Sequence, residues 1–137
     1  MRKILFKAKR GDHKWVEGDY FQDAVRQWHF IRRRENIENR FTTGDYRIIP
    51  ETLCQYTGMT DDNGNKIWEN DILLIDGLGF DSHTEIGKVY YDTKNFGYAV
   101  EFVEGEIDTY PLSEYNTGGV KVIGNVFDNT ELLEVAK

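Results

Sequence analysis

Cysteine is nearly absent. Cys54 is the only one in 137 residues, which excludes an internal disulfide and any multi-cysteine zinc site. Imidazole is scarce too. His13, His29 and His83 stand far from one another and from Cys54, so no ligand pair is pre-placed on a turn or helix. No metal and no cofactor is expected. The acidic turn Asp61-Asp62-Asn63-Gly64-Asn65 has the look of a calcium loop. With Gly64 at the loop's glycine, however, the first and last ligand positions fall on Met59 and Asn70, neither of them a carboxylate. Proline occurs only as Pro50 and Pro111. Both lie at the edges of apolar runs, where a missing amide donor costs least. No apolar run approaches the roughly 18 residues of a membrane span. Only Ile4, Leu5 and Phe6 precede Lys7 near the start, whereas a secretory signal needs an apolar stretch of about 7–15 residues. The expectation is a soluble, cytoplasmic protein without membrane contact.

Catalytic signatures are missing as well. The chain has no Gly-x-Ser-x-Gly elbow, no P-loop and no dinucleotide glycine fingerprint. Cys54 sits between Leu53 and Gln55 in a strand-like run with no histidine near in sequence, and reads as a small core residue rather than a nucleophile. Carboxylate pairs such as Glu69/Asp71 and Glu104/Glu106 are expected in an acidic chain and carry no information about glycoside chemistry. The chain is therefore read as no enzyme.

What is present is charge, unevenly spread, and aromatic residues. The net charge is −7. Residues 1–50 hold 12 Lys+Arg against 7 Asp+Glu, a surplus of +5, while residues 51–137 hold 5 against 17, a deficit of −12. An acidic chain does not coat nucleic acid indiscriminately, but its N-terminal part is basic.

Strand signals dominate the pattern. Val, Ile, Tyr, Phe and Trp recur in short runs cut by Gly, Asn and Asp. Strands are expected over 4–9, 14–21, 26–31 and 46–49, with the polar stretch 32–45 as a loop. Asn63-Gly64 marks a tight hairpin turn, because both residues tolerate positive φ. Ile72-Leu73-Leu74-Ile75 is a continuous apolar run and reads as a central, doubly buried strand. Further strands follow over 85–91, 97–103, 106–110 and 119–127, with a helical turn at 112–115. Asp128 or Asn129 starts the one helix of the chain, through Glu131 to Val135. About five short strands in some 65 positions is the count of a small, strongly bent barrel. The expected fold is mostly β: a small N-terminal β subdomain over 1–50, then a barrel domain over 51–137 with a short C-terminal helix. Ile72, Leu74, Val89, Val100, Phe102 and Ile123 are the candidate barrel core.

The run Arg32-Arg33-Arg34 follows Trp28-His29-Phe30-Ile31. Arginine beside aromatics suits stacking on bases and forked contacts to phosphate. Arg26, Trp28, Arg32, Arg33, Arg34 and Arg40 are the candidate contacts to nucleic acid or another partner. Residues 1–50 are too few to bury Trp15, Tyr20, Phe21, Trp28 and Phe30 by themselves. Docking or self-association through the N-terminal subdomain is expected.

Two longer motifs go further. Gln55-Tyr56-Thr57-Gly58-Met59-Thr60-Asp61-Asp62-Asn63-Gly64-Asn65-Lys66-Ile67-Trp68-Glu69-Asn70-Asp71-Ile72-Leu73 and Val122-Ile123-Gly124-Asn125-Val126-Phe127-Asp128-Asn129-Thr130-Glu131-Leu132-Leu133 resemble the signatures of the YopX family of small phage and prophage proteins. Phe6 to Arg10 and Trp15 to Gly18 also fit. The chain departs from the family at Asn70 for Gly, Thr130 for Pro and Trp68 for Tyr. Asn70 is the next-best residue for positive φ, while Thr130 loses the preset φ of proline at a helix start. The resemblance implies an SH3-like barrel preceded by an N-terminal β subdomain, in the cytoplasm of a bacterial host. It implies no enzymatic activity and carries no catalytic residue over. Thr57, Gly58, Asn63, Gly64, Glu69, Asn70, Asp71, Gly124 and Asn125 read as structural positions. The function expected is a non-catalytic protein-interaction module whose partner is an unknown protein or a second copy, in a homo-oligomer. Nucleic-acid binding through the basic N-terminal half is the weaker alternative.

Overall fold

In a computed structural model, the described residues are 3–78, 83–103, 109–115 and 119–134. Among these described residues, eleven strands run in chain order. They are β1 (Phe6–Lys9), β2 (Trp15–Gln22), β3 (His29–Ile37), β4 (Arg40–Arg47), β5 (Cys54–Thr60), β6 (Lys66–Trp68), β7 (Asp71–Leu78), β8 (His83–Asp92), β9 (Gly97–Phe102), β10 (Thr109–Pro111) and β11 (Val120–Asn125). Short 3-10 turns occupy Pro50–Thr52, Leu112–Tyr115 and Thr130–Leu133. The strands form two sheets, ordered β4-β3-β2-β1-β5-β6 and β10-β9-β8-β7-β11, and the registers between neighbouring strands are antiparallel. The chain divides into two compact units, Met1–Tyr56 and Thr57–Lys137.

The first unit is built on Ala8, Val16, Ile31 and Ile48, all buried, with Phe6, Tyr20, Tyr46 and Leu53 packed around them. The stretch expected to be a loop, 32–45, is instead most of a long hairpin. β3 pairs with β4 from Phe30↔Arg47 to Ile37↔Arg40. Glu38 and Asn39 between them have φ of 49° and 66°. A turn with positive φ at both central residues matches the twist of the flanking strands. The polarity of this stretch comes from its being an exposed ribbon, not from irregular backbone.

The second unit has its own core of Ile67, Leu73, Ile75, Val89, Val100, Phe102, Leu112 and Val120. β7 lies between β8 and β11, and Ile72, Leu73 and Ile75 are fully buried, as the apolar run required. Leu74 and Ile123, expected in the core, are only half-buried. In a pleated strand Leu73 and Ile75 share the face that packs on the core, and Leu74 takes the other.

Among the described residues the five-stranded sheet does not close into the expected barrel. Its ladder ends at β10, three residues that finish at Pro111, and proline has no amide to extend pairing. The expected C-terminal helix is a four-residue 3-10 turn, Thr130–Leu133, with no side-chain cap. Asn129, which would cap it, accepts the Asn125 amide at 3.1 Å instead.

Asp61 ties this unit together. Its carboxylate accepts the amides of Asn63 at 3.0 Å and Asn65 at 2.8 Å, and it reaches across the sequence to the Val122 amide at 3.0 Å. It is 7% exposed. Burial pushes its carboxyl up, but the Val122 and Asn65 amides, the Asn65 side chain and the Asn63 amide outweigh that and hold it below the ordinary carboxylate range.

Two outcomes check this account. Leu73→Ala should cost about 2–5 kcal/mol in chemical denaturation, and Leu74→Ala clearly less; equal costs would mean the strand face is wrongly assigned. For Asp61, the lowered folded pKa means its contribution is complete above the unfolded value of about 3.9 and is lost as pH falls through the folded value. Asp61→Ala should therefore cost about 1–3 kcal/mol near neutral pH, where it strands buried amides. Its stability should also fall less than the wild type's on acidification, as followed by circular dichroism.

Candidate functional site

The candidate site lies on the outer face of the N-terminal sheet and follows from strand parity. Ile31 points inward and is fully buried, so its neighbours Phe30, Arg32 and Arg34 point the other way. Register then lays out rows across the strands. Phe21 of β2 faces Phe30 of β3, which faces Arg47 of β4. The next row is Asp19, Arg32 and Asp45. Beyond it Arg34 faces Thr43, and Asn36 faces Phe41.

Three of the rings on this side, Phe21, Trp28 and Trp15, carry cations. The Phe21 and Phe30 rings stack with centroids 5.3 Å apart, and the Arg32 guanidinium lies 4.9 Å from the Phe21 centroid. Trp28 lies under Arg47 at 3.8 Å and near Arg26 at 4.7 Å. Trp15 has Lys7 at 4.6 Å and Lys9 at 5.5 Å. The turn before β3 places Trp28. The Asp23 amide donates to the Trp28 carbonyl and the Gln27 amide to the Asp23 carbonyl, both at 2.8 Å, with Gln27 at φ 61°. These rings are half-buried, so much of their apolar area is shielded by side-chain stems that keep their charge in water.

Arg32 is anchored: its Nε and Nη2 donate to Asp45 at 2.8 and 3.0 Å. This two-pronged bond holds the Asp45 carboxyl below its ordinary range and raises the guanidinium further. The opposite face of the ribbon is different. There Tyr20 Oη meets His29 Nδ1 at 2.6 Å, and Tyr46 donates to Glu35 at 2.8 Å.

Of the residues expected to touch a partner, Arg26, Trp28, Arg32 and Arg34 gather on or beside the outer face. Arg33 faces Gly44 and Arg40 faces Ile37, on the side of Ile31. The three-arginine run is thus split by the pleat. Phe21, Phe30, Arg47, Lys7, Lys9 and Trp15 join the site without having been assigned to it from sequence. The signal that finds them is the alternation of β2 and β3 together with the Glu38-Asn39 turn that sets the register.

The signature residues hold backbone. Thr57 Oγ1 donates to the Ile67 carbonyl at 2.7 Å and accepts the Met59 amide at 3.2 Å, around Gly58 at φ 89°. Gly64 has φ 82° in the turn that Asp61 closes. Half-buried Glu69 leads into Asn70, at φ 69°, whose amide donates to the Val89 carbonyl and whose carbonyl accepts the Val126 amide, both at 2.9 Å. Buried Asp71 accepts the Trp68 amide at 2.8 Å. Asn125 Oδ1 accepts the amides of Phe127 and Asp128, each at 2.9 Å. A Cβ at Gly124 would come within 2.5 Å of Asn129 Oδ1.

Residues 5–134 match the family described as YopX protein. The chain belongs to the YopX family. A crystal structure of protein EF1440 from Enterococcus faecalis superposes with a TM-score of 0.63 at 22% identity, covering 98% of this chain and 100% of that one. That likeness is one of fold. No curated protein matches the sequence. In this YopX-family chain the signature residues form turns, and the cation-covered aromatic face is built from other residues.

The exposed ion pair should matter little to folding. Arg32→Ala is expected to cost less than about 1 kcal/mol in urea denaturation; a much larger loss would make this face structural rather than available for binding.

Proposed function

We propose that this chain is a non-catalytic binding module that takes single-stranded nucleic acid on the outer face of its N-terminal sheet. The observation that carries this is the set of flat rings, Trp28, Phe21 and Phe30, laid out beside Arg26, Arg32, Arg34 and Arg47 on one antiparallel surface. Bases offer flat π-faces to such rings whatever their sequence, and arginines supply forked contacts to the phosphates. In the free protein the guanidiniums over Phe21 and Trp28 occupy the positions where a base would stack. Binding exchanges those cation–ring contacts for base–ring contacts and turns the arginines to the backbone.

The test is fluorescence anisotropy of a labelled single-stranded oligonucleotide and of a duplex of the same length, at low and moderate salt. The single strand should bind in preference, with affinity falling as salt rises. Trp28→Ala and Phe30→Ala should each weaken binding by roughly fivefold or more, the loss of one stacked base. No binding at low salt, or binding indifferent to both variants, would reject the reading.

A second reading is supported by the sheet edge. β4 ends the six-stranded sheet, and Phe41 on it is 85% exposed. An open edge strand invites pairing with a strand of a protein partner, including a second copy. Sedimentation of the full chain separates the two readings: self-association abolished by Phe41→Asp, with no oligonucleotide bound, would favour the edge.

A further inference from the structure

The second unit carries a groove with a different chemistry. It has a volume of about 370 Å³ and is formed by residues of that unit alone. Met59, Tyr98 and Leu112 give it an apolar floor, and Tyr98 is braced edge-on by Tyr91 at 5.3 Å. Asp92 and Phe96 stand at its rim. Two features of the rim bear on what it can hold. Phe96 is 83% exposed, and its backbone sits at φ 54°, a region in which a bulky side chain is strained. Asp92 is held ionised: the Asn95 side chain and the Lys94 amide donate to it, at 2.6 and 3.0 Å, and keep its carboxyl below the ordinary range.

At the rim Lys94 stands beside Asp92, so the charge preference is set by the unit as a whole. Residues 57–137 contain 16 Asp+Glu and 5 lysines, with no arginine at all. A polyanion is repelled by such a surface and a cation drawn to it. We infer that the groove binds an extended, basic peptide segment of a protein partner, an apolar side chain resting on Met59, Tyr98 and Leu112 and an adjacent Arg or Lys passing Phe96 to reach Asp92. An aromatic ring beside a carboxylate receives an alkyl stem and its cationic head together. Apolar floors with few polar anchors are the usual make-up of such sites. This site is independent of the nucleic-acid face of the first unit and of opposite charge preference.

The experiment is an NMR titration of the full-length, ¹⁵N-labelled chain with a blocked short peptide of alternating leucine and arginine, and with the same peptide carrying glutamate for arginine. The arginine peptide should shift the amides of residues 92–99, 112 and 113, and the glutamate peptide should leave them in place. Asp92→Asn should weaken the arginine peptide by roughly threefold or more. Phe96→Gly relieves the positive φ and should leave the fold at least as stable while lowering affinity, so that a loss of binding cannot be put down to unfolding. Shifts that are absent, that map elsewhere, that are equal for the two peptides or that survive Phe96→Gly unchanged would overturn the proposal.

Discussion

Ile31 can lie on only one side of its sheet, and much of the first unit's surface follows from that. It is fully buried against Ala8, Val16 and Ile48, and a strand's side chains alternate strictly between faces. Phe30, Arg32 and Arg34 therefore stand on the outside. Register carries the same decision to the neighbouring strands, so Phe21 and Arg47 arrive beside them. A slip of one residue would send the arginines into the core and the isoleucine into water. The burial of one apolar residue thereby keeps the cationic surface in order.

A single layer with so small a core cannot enclose all of its aromatics. The first unit shields Trp15, Phe21 and Trp28 with Lys and Arg side chains in place of a second layer of hydrophobics. The cover is removable, because each such contact is weak, of order 0.5–1 kcal/mol at exposed sites. A partner that offers its own π-faces and negative charge competes for both halves of the contact. The same arrangement thus covers Trp15, Phe21 and Trp28 in the free protein with contacts weak enough to be exchanged.

The second unit solves a different problem, that of joining distant segments with few elements. Asp61 gathers the turn after β5 and the amide of Val122, and Asn70 links β8 to the turn after β11 through its own peptide groups. Polar residues at these points satisfy backbone groups that the ladders leave over. Their positions match the stretches that resemble the family signature, which explains why that signature reads as turns.

The strand alternation, the apolar run of β7 and the two long motifs were legible in the sequence, because they are set by residues close together in the chain. The family and the β class followed from them. The hairpin of β3 and β4 was not legible, since Arg32 to Asp45 has the composition of a loop and is extended only because its two halves pair with each other. Nor was the failure of the last helix, which depends on Asn129 spending its side chain on Asn125. The division of Arg32-Arg33-Arg34 between two faces rests on which side Ile31 buries. The choice of Leu73 over Leu74 for the core depends on the packing of β7. In each case the residue types permit both outcomes and a specific pairing or packing contact selects one; for the two strand faces, burial is a property of the assembled layers and not of the strand alone.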